Sequence, residues 1–128
     1  MLHITPIYAG LLGLLFVALS ARVIFGRFET HTNLGDGGHA SLSKRIRVQA
    51  NAAEYIPLGL ILLATAELQG AGTLWLHLFG AALFAGRVAH AIGLGATPQI
   101  TALRSAGMVL TFAALVGLSV LCLVLALH

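Results

Sequence analysis

The chain has 128 residues, of which 59% are hydrophobic and only 9% are charged. This balance excludes an ordinary soluble domain and indicates a single domain embedded in a membrane. The formal net charge of +3 would suggest nucleic acid as a partner of a soluble protein, but in a membrane protein basic residues first indicate topology. A single cysteine, Cys122, excludes an internal disulfide, and six scattered histidines lack metal-ligand spacing, so no metal site is expected.

Four apolar segments follow one another along the chain, each close to the ~20 residues that a helix needs to cross a bilayer. They predict helices at about residues 5–26, 46–68, 72–95 and 102–127. The expected fold class is therefore an all-α membrane protein, a bundle of four transmembrane helices in one domain, residues 1–128. The first segment contains ALSA, which resembles a signal-peptidase site, but no basic region precedes its apolar stretch.

The connections between these segments differ in charge. The first connection, residues 27–45, is polar and contains basic residues, the third is flanked by them, and the second, LQGAGT, has none. By the positive-inside rule, the first and third connections are expected to face the cytoplasm, with both termini on the opposite side. Arg27, Lys44 and Arg45 are interpreted as anchors that reach for lipid headgroups.

Polar residues form a stripe on the second predicted helix. Arg47, Asn51, Glu54 and Tyr55 follow the spacing i, i+4, i+7, i+8, which at about 100° per residue confines them to one arc of the helix. Ionisable residues inside a membrane usually face the interior of a bundle or a wet cavity. The stripe is therefore expected to point toward a site rather than toward lipid.

Arginines of all four helices lie toward the same face of the membrane. They are Arg22, Arg47, Arg87 and Arg104, with His90 one turn after Arg87 and Ser105 next to Arg104. Glu54 is the only acidic residue at that depth, so the cavity is expected to be electropositive. Because guanidinium groups bind carboxylates and phosphates, the predicted guest is anionic, and Asn51 and Glu54 would accept from an ammonium or amide group on it.

Other interpretations stay open at this point. Each arginine at a helix end would also be explained as a snorkelling anchor for lipid headgroups. Glu54 would equally form an ion pair between helices, with Asn51 in a packing hydrogen bond. Tyr55 would serve as an interface aromatic, and His90 as a core residue. Glycines such as Gly86 are expected to allow close helix contacts rather than to serve chemistry.

The stretch RVQANAAEYIPL resembles the signature of the MAPEG family, the membrane-associated proteins in eicosanoid and glutathione metabolism. In that family the second helix carries Arg-x-x-x-Asn-x-x-Glu-Tyr-x-Pro, which here falls on Arg47, Asn51, Glu54, Tyr55 and Pro57. The segments LGDGG, GRVAHAIG and LRSAG extend the resemblance over nearly the whole chain. The resemblance implies a homotrimer of four-helix subunits in a bacterial inner membrane, which binds glutathione between neighbouring subunits.

The resemblance also implies roles for individual residues. Glutathione contacts are expected from Arg22, Arg47, Asn51, Glu54, Tyr55, Arg87 and His90. Arg104 is expected to stabilise the glutathione thiolate, and Ser105 to assist it, as proposed for the prostaglandin-E synthase branch. Leu94 stands where eicosanoid-forming members carry a tyrosine, and Ala89 where one branch has a second arginine, so an eicosanoid substrate is not expected.

Two functions are compatible with these features. The first is a glutathione transferase or peroxidase, in which the glutathione thiolate attacks a lipophilic electrophile or a hydroperoxide dissolved in the membrane. The alternative is a non-catalytic membrane protein that binds glutathione, another anionic metabolite or lipid headgroups, and Leu94 in place of the family tyrosine favours it. A transporter is the weakest hypothesis, because no inverted repeat or pair of broken helices is evident.

Overall fold

The computed structural model describes all residues, 1–128, and contains four α-helices and no β-strand. The helices are α1 (Thr5–Thr30), α2 (Ala40–Leu68), α3 (Thr73–Gly95) and α4 (Thr101–Leu127). Three of them, α1, α3 and α4, are long and apolar enough to cross a membrane. The remaining helix, α2, has 29 residues and lies in the same bundle, but charged side chains interrupt its apolar pattern. The predicted all-α bundle is confirmed.

The first two helices are longer than the sequence predicted. α1 continues to Thr30 instead of ending near residue 26, and α2 begins at Ala40 instead of near residue 46. Hydropathy marks only the apolar part of a helix, whereas the backbone hydrogen bonds of both helices continue through the polar turns beyond it. The connection is therefore only residues 31–39, and it leaves α1 through His31 in the left-handed conformation, at φ 51° and ψ 42°.

The four helices do not contact one another equally. α2 and α3 each contact all the other helices, whereas α1 makes no contact with α4. α3 and α4 form the closest pair. The bundle therefore has α2 and α3 at its centre, with α1 and α4 on different sides of them.

Glycines bring α3 and α4 together backbone to backbone. A Cβ atom added at Gly86 would lie 2.8 Å from the carbonyl oxygen of Gly107 and 2.8 Å from Oγ1 of Thr111. Gly93 faces the backbone of Arg104 just as closely. The expectation that glycines such as Gly86 allow close helix contacts is confirmed. As a result, the first turn of α4 is fixed against the last turns of α3.

Apolar side chains fill the interior and also cover much of the outside. Leu12, Leu63, Leu83 and Leu118 are fully buried between the helices. Many other large apolar residues, among them Leu14, Val17, Leu74, Val116 and Leu123, are more than half exposed on the outer faces. Helices that are apolar on their inner and outer faces are typical of a bundle surrounded by lipid.

Polar contacts join α1 to α2 at both ends. The carboxylate of Glu67, near the end of α2, accepts hydrogen bonds from the backbone N–H groups of His3–Thr5 at 2.6 Å to 2.7 Å. These donors precede or begin α1, where a helix has N–H groups without internal partners. At the other end, Arg45 of α2 donates to the carbonyl oxygen of Arg22 at 2.9 Å and pairs with Glu29 at 3.4 Å.

Candidate functional site

Arg87 of α3 is the centre of a buried polar cluster. The residue itself is only 2% exposed. Its Nε donates to Oγ1 of Thr111 at 3.0 Å, and its Nη1 donates to the side-chain oxygen of Asn51. Nη2 lies 3.2 Å from the sulfur of Met108. Because Asn51 belongs to α2 and the other two residues to α4, one guanidinium group joins three helices.

Tyr55 covers the same guanidinium group from α2. The ring centroid of Tyr55 lies 5.0 Å from Cζ of Arg87, a cation–π distance, and its edge meets Phe112 of α4 with ring centroids 5.7 Å apart. Asn51 and Tyr55 are one turn apart on α2, and both hold Arg87. The sequence placed these residues on one face of the helix, and the structure brings that face onto α3 and α4.

Arg47 and Glu54 continue the same stripe on α2 but lie at the surface. Nη1 of Arg47 is 4.0 Å from Oε1 of Glu54, and the two side chains are 58% and 54% exposed. An ion pair of this exposure contributes only about 0–1 kcal/mol to stability. Both charged groups are therefore available to a ligand at little cost to the fold. The sequence had left open an ion pair between helices for Glu54, and the structure pairs it within α2.

Arg104 and Ser105 are exposed in the first turns of α4. The guanidinium group of Arg104 donates to the side-chain oxygen of Gln99 at 3.1 Å. Its backbone lies against Gly93, so the side chain extends outward from a fixed position next to the end of α3. The backbone of Arg104 is therefore held in place by α3, while most N–H donors of its guanidinium group have no partner within the chain.

His90 lies on the same α3–α4 contact, between the Arg87 cluster and the start of α4. The residue is 3% exposed, and its backbone faces Gly107. Along the antiparallel pair, Gly93 faces Arg104, His90 faces Gly107, and Gly86 faces both Gly107 and Thr111. His90 is thus a core residue of the α3–α4 pair, in which α3 carries Arg87 and α4 carries Arg104.

Arg22 is not part of this group within one chain. Its guanidinium group lies near Gly95, in a separate cavity that Lys44 and Arg45 also line. The reason is the arrangement of the helices, because α1 contacts α2 and α3 but not α4. Within a single subunit the four arginines that the sequence places toward one face of the membrane are therefore divided: Arg47, Arg87 and Arg104 belong to α2–α4, and Arg22 is apart from them.

The three basic residues interpreted as lipid anchors make hydrogen bonds within the chain. Lys44 donates to the carbonyl oxygen of Ala96 at 2.8 Å, and Arg27 donates to that of Gly35 at 2.8 Å. Arg45 makes the contact with α1 described above. These side chains hold the chain's own connections together, and Lys44 links the start of α2 to the connection between α3 and α4.

The group formed by Arg47, Glu54, Arg87 and Arg104 does not enclose a cavity in the single chain, because none of these residues lines one. It presents charged side chains on the outer face of α2 and at the start of α4, above a buried and fully partnered Arg87. No cluster of three or more histidine, cysteine, aspartate or glutamate side chains lies together in the chain.

Three contributors to the site were missed by the sequence interpretation, namely Thr111, Met108 and Phe112 of α4. Thr111 is fully buried and is a hydroxyl residue within an apolar helix, which is a signal for a buried hydrogen bond. Met108 and Phe112 carry no such signal, because their importance arises only from the way α4 packs on α3.

Comparison with known proteins matches the chain to the MAPEG family over residues 5–124. Two similar proteins from Escherichia coli, of strains K12 and O6:H1, are both described as inner membrane protein YecN. Each is 36% identical over 112 residues, covering 88% of this chain and 84% of the relative. No solved structure gives a match. Because the family match covers nearly the whole chain, including every site residue described above, this membrane protein belongs to the MAPEG family.

Proposed function

We propose that this protein is a glutathione-dependent transferase or peroxidase of the inner membrane. Glutathione would bind on the face that carries Arg47, Glu54 and Arg104, and its thiolate would attack lipophilic electrophiles or hydroperoxides. The location follows the description of the Escherichia coli relatives. The charged groups exposed on that face support the proposed activity.

The exposed pair of Arg47 and Glu54 carries this proposal. The γ-glutamyl end of glutathione is an α-amino acid, with a carboxylate and an ammonium group on one carbon. Arg47 and Glu54 lie 4.0 Å apart, and both side chains are more than half exposed. The guanidinium group of Arg47 would pair with the ligand's carboxylate, and the carboxylate of Glu54 with its ammonium group. Charge-assisted hydrogen bonds of this kind are stronger than neutral ones. The weak internal pair would therefore be exchanged for a stronger pair with the ligand.

The buried cluster supports the proposal by fixing α2 beneath that pair. Asn51 and Tyr55 both hold Arg87, and they lie on the turns of α2 between and beside Arg47 and Glu54. A binding site is precise when its ligand-facing residues stand on rigid elements held by buried hydrogen bonds. The α2 backbone would thus hold the carboxylate and guanidinium group at a spacing set by the helix.

Arg104 is proposed as the catalytic residue because its guanidinium group is exposed and has only Gln99 as a side-chain partner. A cation beside a thiol favours the thiolate, which is the reactive nucleophile. In the transferase reaction the sulfur forms a bond to an electrophilic carbon, and the leaving group departs with the bonding electrons. In the peroxidase reaction the thiolate attacks the outer oxygen of a hydroperoxide, and the O–O bond breaks. The alkoxide leaves and takes a proton from water to become the alcohol, and a second glutathione converts the sulfenic acid to disulfide and water.

A second copy of the chain would complete the site. The proposed glutathione contacts on α2 and α4 open on the outer face of the bundle, whereas Arg22 lies elsewhere in the same chain. In the proposed homotrimer, the neighbouring subunit would cover the open face and bring its own Arg22 to the ligand. An electrophile dissolved in the lipid would enter laterally between subunits.

The test is an ultraviolet difference spectrum of the purified protein in detergent on addition of glutathione, measured at the thiolate absorbance. Wild type is expected to give a saturable signal, and Arg104→Ala to lose it while calorimetry still detects glutathione binding. Arg27→Gln is the control, because it removes a positive charge that holds the first connection and lies outside the site. An unchanged signal in Arg104→Ala would remove Arg104 from the mechanism, and absence of binding in wild type would refute the proposal.

A second candidate is a non-catalytic binder of glutathione, another anionic metabolite or lipid headgroups. It is favoured by Leu94, which is 9% exposed and forms part of the apolar core one turn after His90. This position therefore supplies no hydroxyl group to a bound thiol. Saturable binding of glutathione in the calorimeter without any thiolate absorbance would establish this candidate over the enzyme.

A further inference from the structure

A second basic site lies at the end of the bundle where α1 ends, α2 begins and α3 joins α4, which we call the basic end. There, a cavity of about 130 Å³ is lined by Arg22, Ser41, Lys44, Arg45, Val48, Gly95 and Thr97. Three of these side chains are cations, and no acidic residue is among them. Arg22 is the one lining residue that is also proposed to contact glutathione, namely the glutathione held by a neighbouring subunit; the other six lining residues have no proposed glutathione contact.

The basic side chains of this cavity are held in place by the chain itself. Lys44 donates to the carbonyl oxygen of Ala96 at 2.8 Å and to Oγ1 of Thr97 at 3.2 Å. Arg45 donates to the carbonyl oxygen of Arg22 at 2.9 Å. The sequence indicated that Lys44 and Arg45 extend into the lipid headgroups, but the structure turns them toward a common cavity. They therefore form a site with defined geometry rather than mobile anchors.

The charge of the cavity is only partly compensated. The carboxylate of Glu29 pairs with Arg45 at 3.4 Å from outside the lining, with its own side chain 66% exposed. Arg22 has no acidic partner within 4.0 Å, and Lys44 is bound only by neutral oxygen atoms. At least two positive charges are thus left for an anion to neutralise.

We propose that this cavity binds a phosphate group. Its volume of about 130 Å³ is well below the roughly 300–1,000 Å³ of ordinary small-molecule sites, so it fits a single charged group rather than a tripeptide. Donors from α1, from α2 and from the connection after α3 surround it on different sides. The tetrahedral oxygens of a phosphate accept from several directions at once, and arginine and lysine are its usual partners.

Two sources supply such a group at the basic end. One is the phosphate of an anionic phospholipid, since basic residues near the end of a transmembrane helix lie at headgroup depth. The other is a soluble phosphate or phosphate monoester. Both place the same tetrahedral anion between Arg22 and Lys44, and the experiment separates them by the probe used.

The experiment titrates delipidated wild-type protein in a nonionic detergent by calorimetry, with inorganic phosphate in one arm and dihexanoyl phosphatidylglycerol in the other. The decisive variant is Ser41→Asp, which places a negative charge in the cavity and keeps the side chains of Arg22, Lys44 and Arg45. Aspartate is favoured in the first turn of a helix, where Ser41 lies, so α2 is expected to form normally. Arg27→Gln is the matched control, because it removes one positive charge nearby but outside the cavity.

The proposal is supported by saturable binding to wild type in at least one arm. The affinity should be about tenfold weaker in Ser41→Asp and within about twofold of wild type in Arg27→Gln. Binding of phosphatidylglycerol alone assigns the site to lipid, and binding of inorganic phosphate assigns it to a soluble ligand. If Ser41→Asp does not fold, Lys44→Gln takes its place with the same expected loss.

Two results would overturn the proposal. One is absence of binding in both arms. The other is an equal loss of affinity in Ser41→Asp and Arg27→Gln. Because phosphate binding is measured without glutathione, failure of this proposal and failure of the proposed function are distinguishable.

Discussion

The protein places two arginines in contrasting environments beside α2: Arg87 of α3 packs against that helix, and Arg47 belongs to the helix itself. Arg87 is 2% exposed and is held by Asn51, Thr111 and the ring of Tyr55. Arg47 is 58% exposed in its side chain and has only a weak contact with Glu54. One guanidinium group is part of the structure of the bundle, and the other is free to be used by a ligand.

The difference teaches how an apolar bundle can carry a polar site. A buried charge is tolerated only when its donors find partners, so the interior arginine has oxygen acceptors and an aromatic face around it. An exposed arginine needs no such partners, because water or a headgroup solvates it. Truncation of the two residues should therefore have opposite consequences, one for stability and the other for binding.

The largest effect is expected from Arg87→Leu. This change leaves the side-chain oxygen of Asn51 and the hydroxyl group of Thr111 without their donor and separates three helices that Arg87 joins. The free energy of unfolding is expected to fall by roughly 3 kcal/mol. It is measured by denaturation in mixed micelles of sodium dodecyl sulfate and a nonionic detergent. A variant as stable as wild type would show that the cluster does not stabilise the bundle.

A smaller effect is expected from Gly86→Ala, which tests the packing beneath the cluster. The added Cβ would lie 2.8 Å from Oγ1 of Thr111, which holds Arg87, and 2.8 Å from the carbonyl oxygen of Gly107. Forcing α3 and α4 apart should cost about 1–3 kcal/mol in the same denaturation assay.

The matched control for that substitution is Gly10→Ala on α1, where an added Cβ meets nothing within 4 Å. Because alanine is the better helix former, this variant should be as stable as wild type or gain up to about 1 kcal/mol. Equal losses in the two variants would attribute the effect to glycine replacement in general rather than to the contact between α3 and α4.

The smallest change in stability is expected from Arg47→Gln. The pair that it breaks is more than half exposed, so the free energy of unfolding should change by less than about 1 kcal/mol. The affinity for glutathione, measured by calorimetry, should nevertheless fall about tenfold, since one charge-assisted bond to the ligand is lost. A large loss of stability with unchanged affinity would reverse the roles that we assign to the two arginines.

Part of this arrangement was predictable from the sequence. Asn51 and Tyr55 share a face because a helix repeats every 3.6 residues, and that period alone places them beside each other. Arg87 and His90 were expected in the interior because charged residues inside an apolar helix seldom face lipid. Local spacing therefore identified the residues that line the centre of the bundle.

The remainder depended on how the helices pack. The sequence predicts Arg22 and Arg104 toward the same face of the membrane, but that prediction does not show that α1 and α4 are on different sides of the bundle. The start of α2 was missed because the polar residues from Ser41 to Arg45 resemble a loop in a hydropathy profile, although lysine, arginine and leucine are good helix formers. Thr111 was overlooked because its partner is on another helix.

The double attachment of α1 to α2 has a consequence for how the protein responds to its membrane. Glu67 holds the beginning of α1, and Arg45 holds its last turns, so the two helices have a fixed register along their whole length. A bilayer that is thicker or thinner than the apolar span is usually accommodated by tilting, sliding or local deformation. Sliding is blocked here, because it would break the contacts at both ends together. The α1–α2 hairpin must therefore tilt as one body, and the lipid around it must supply any further adjustment.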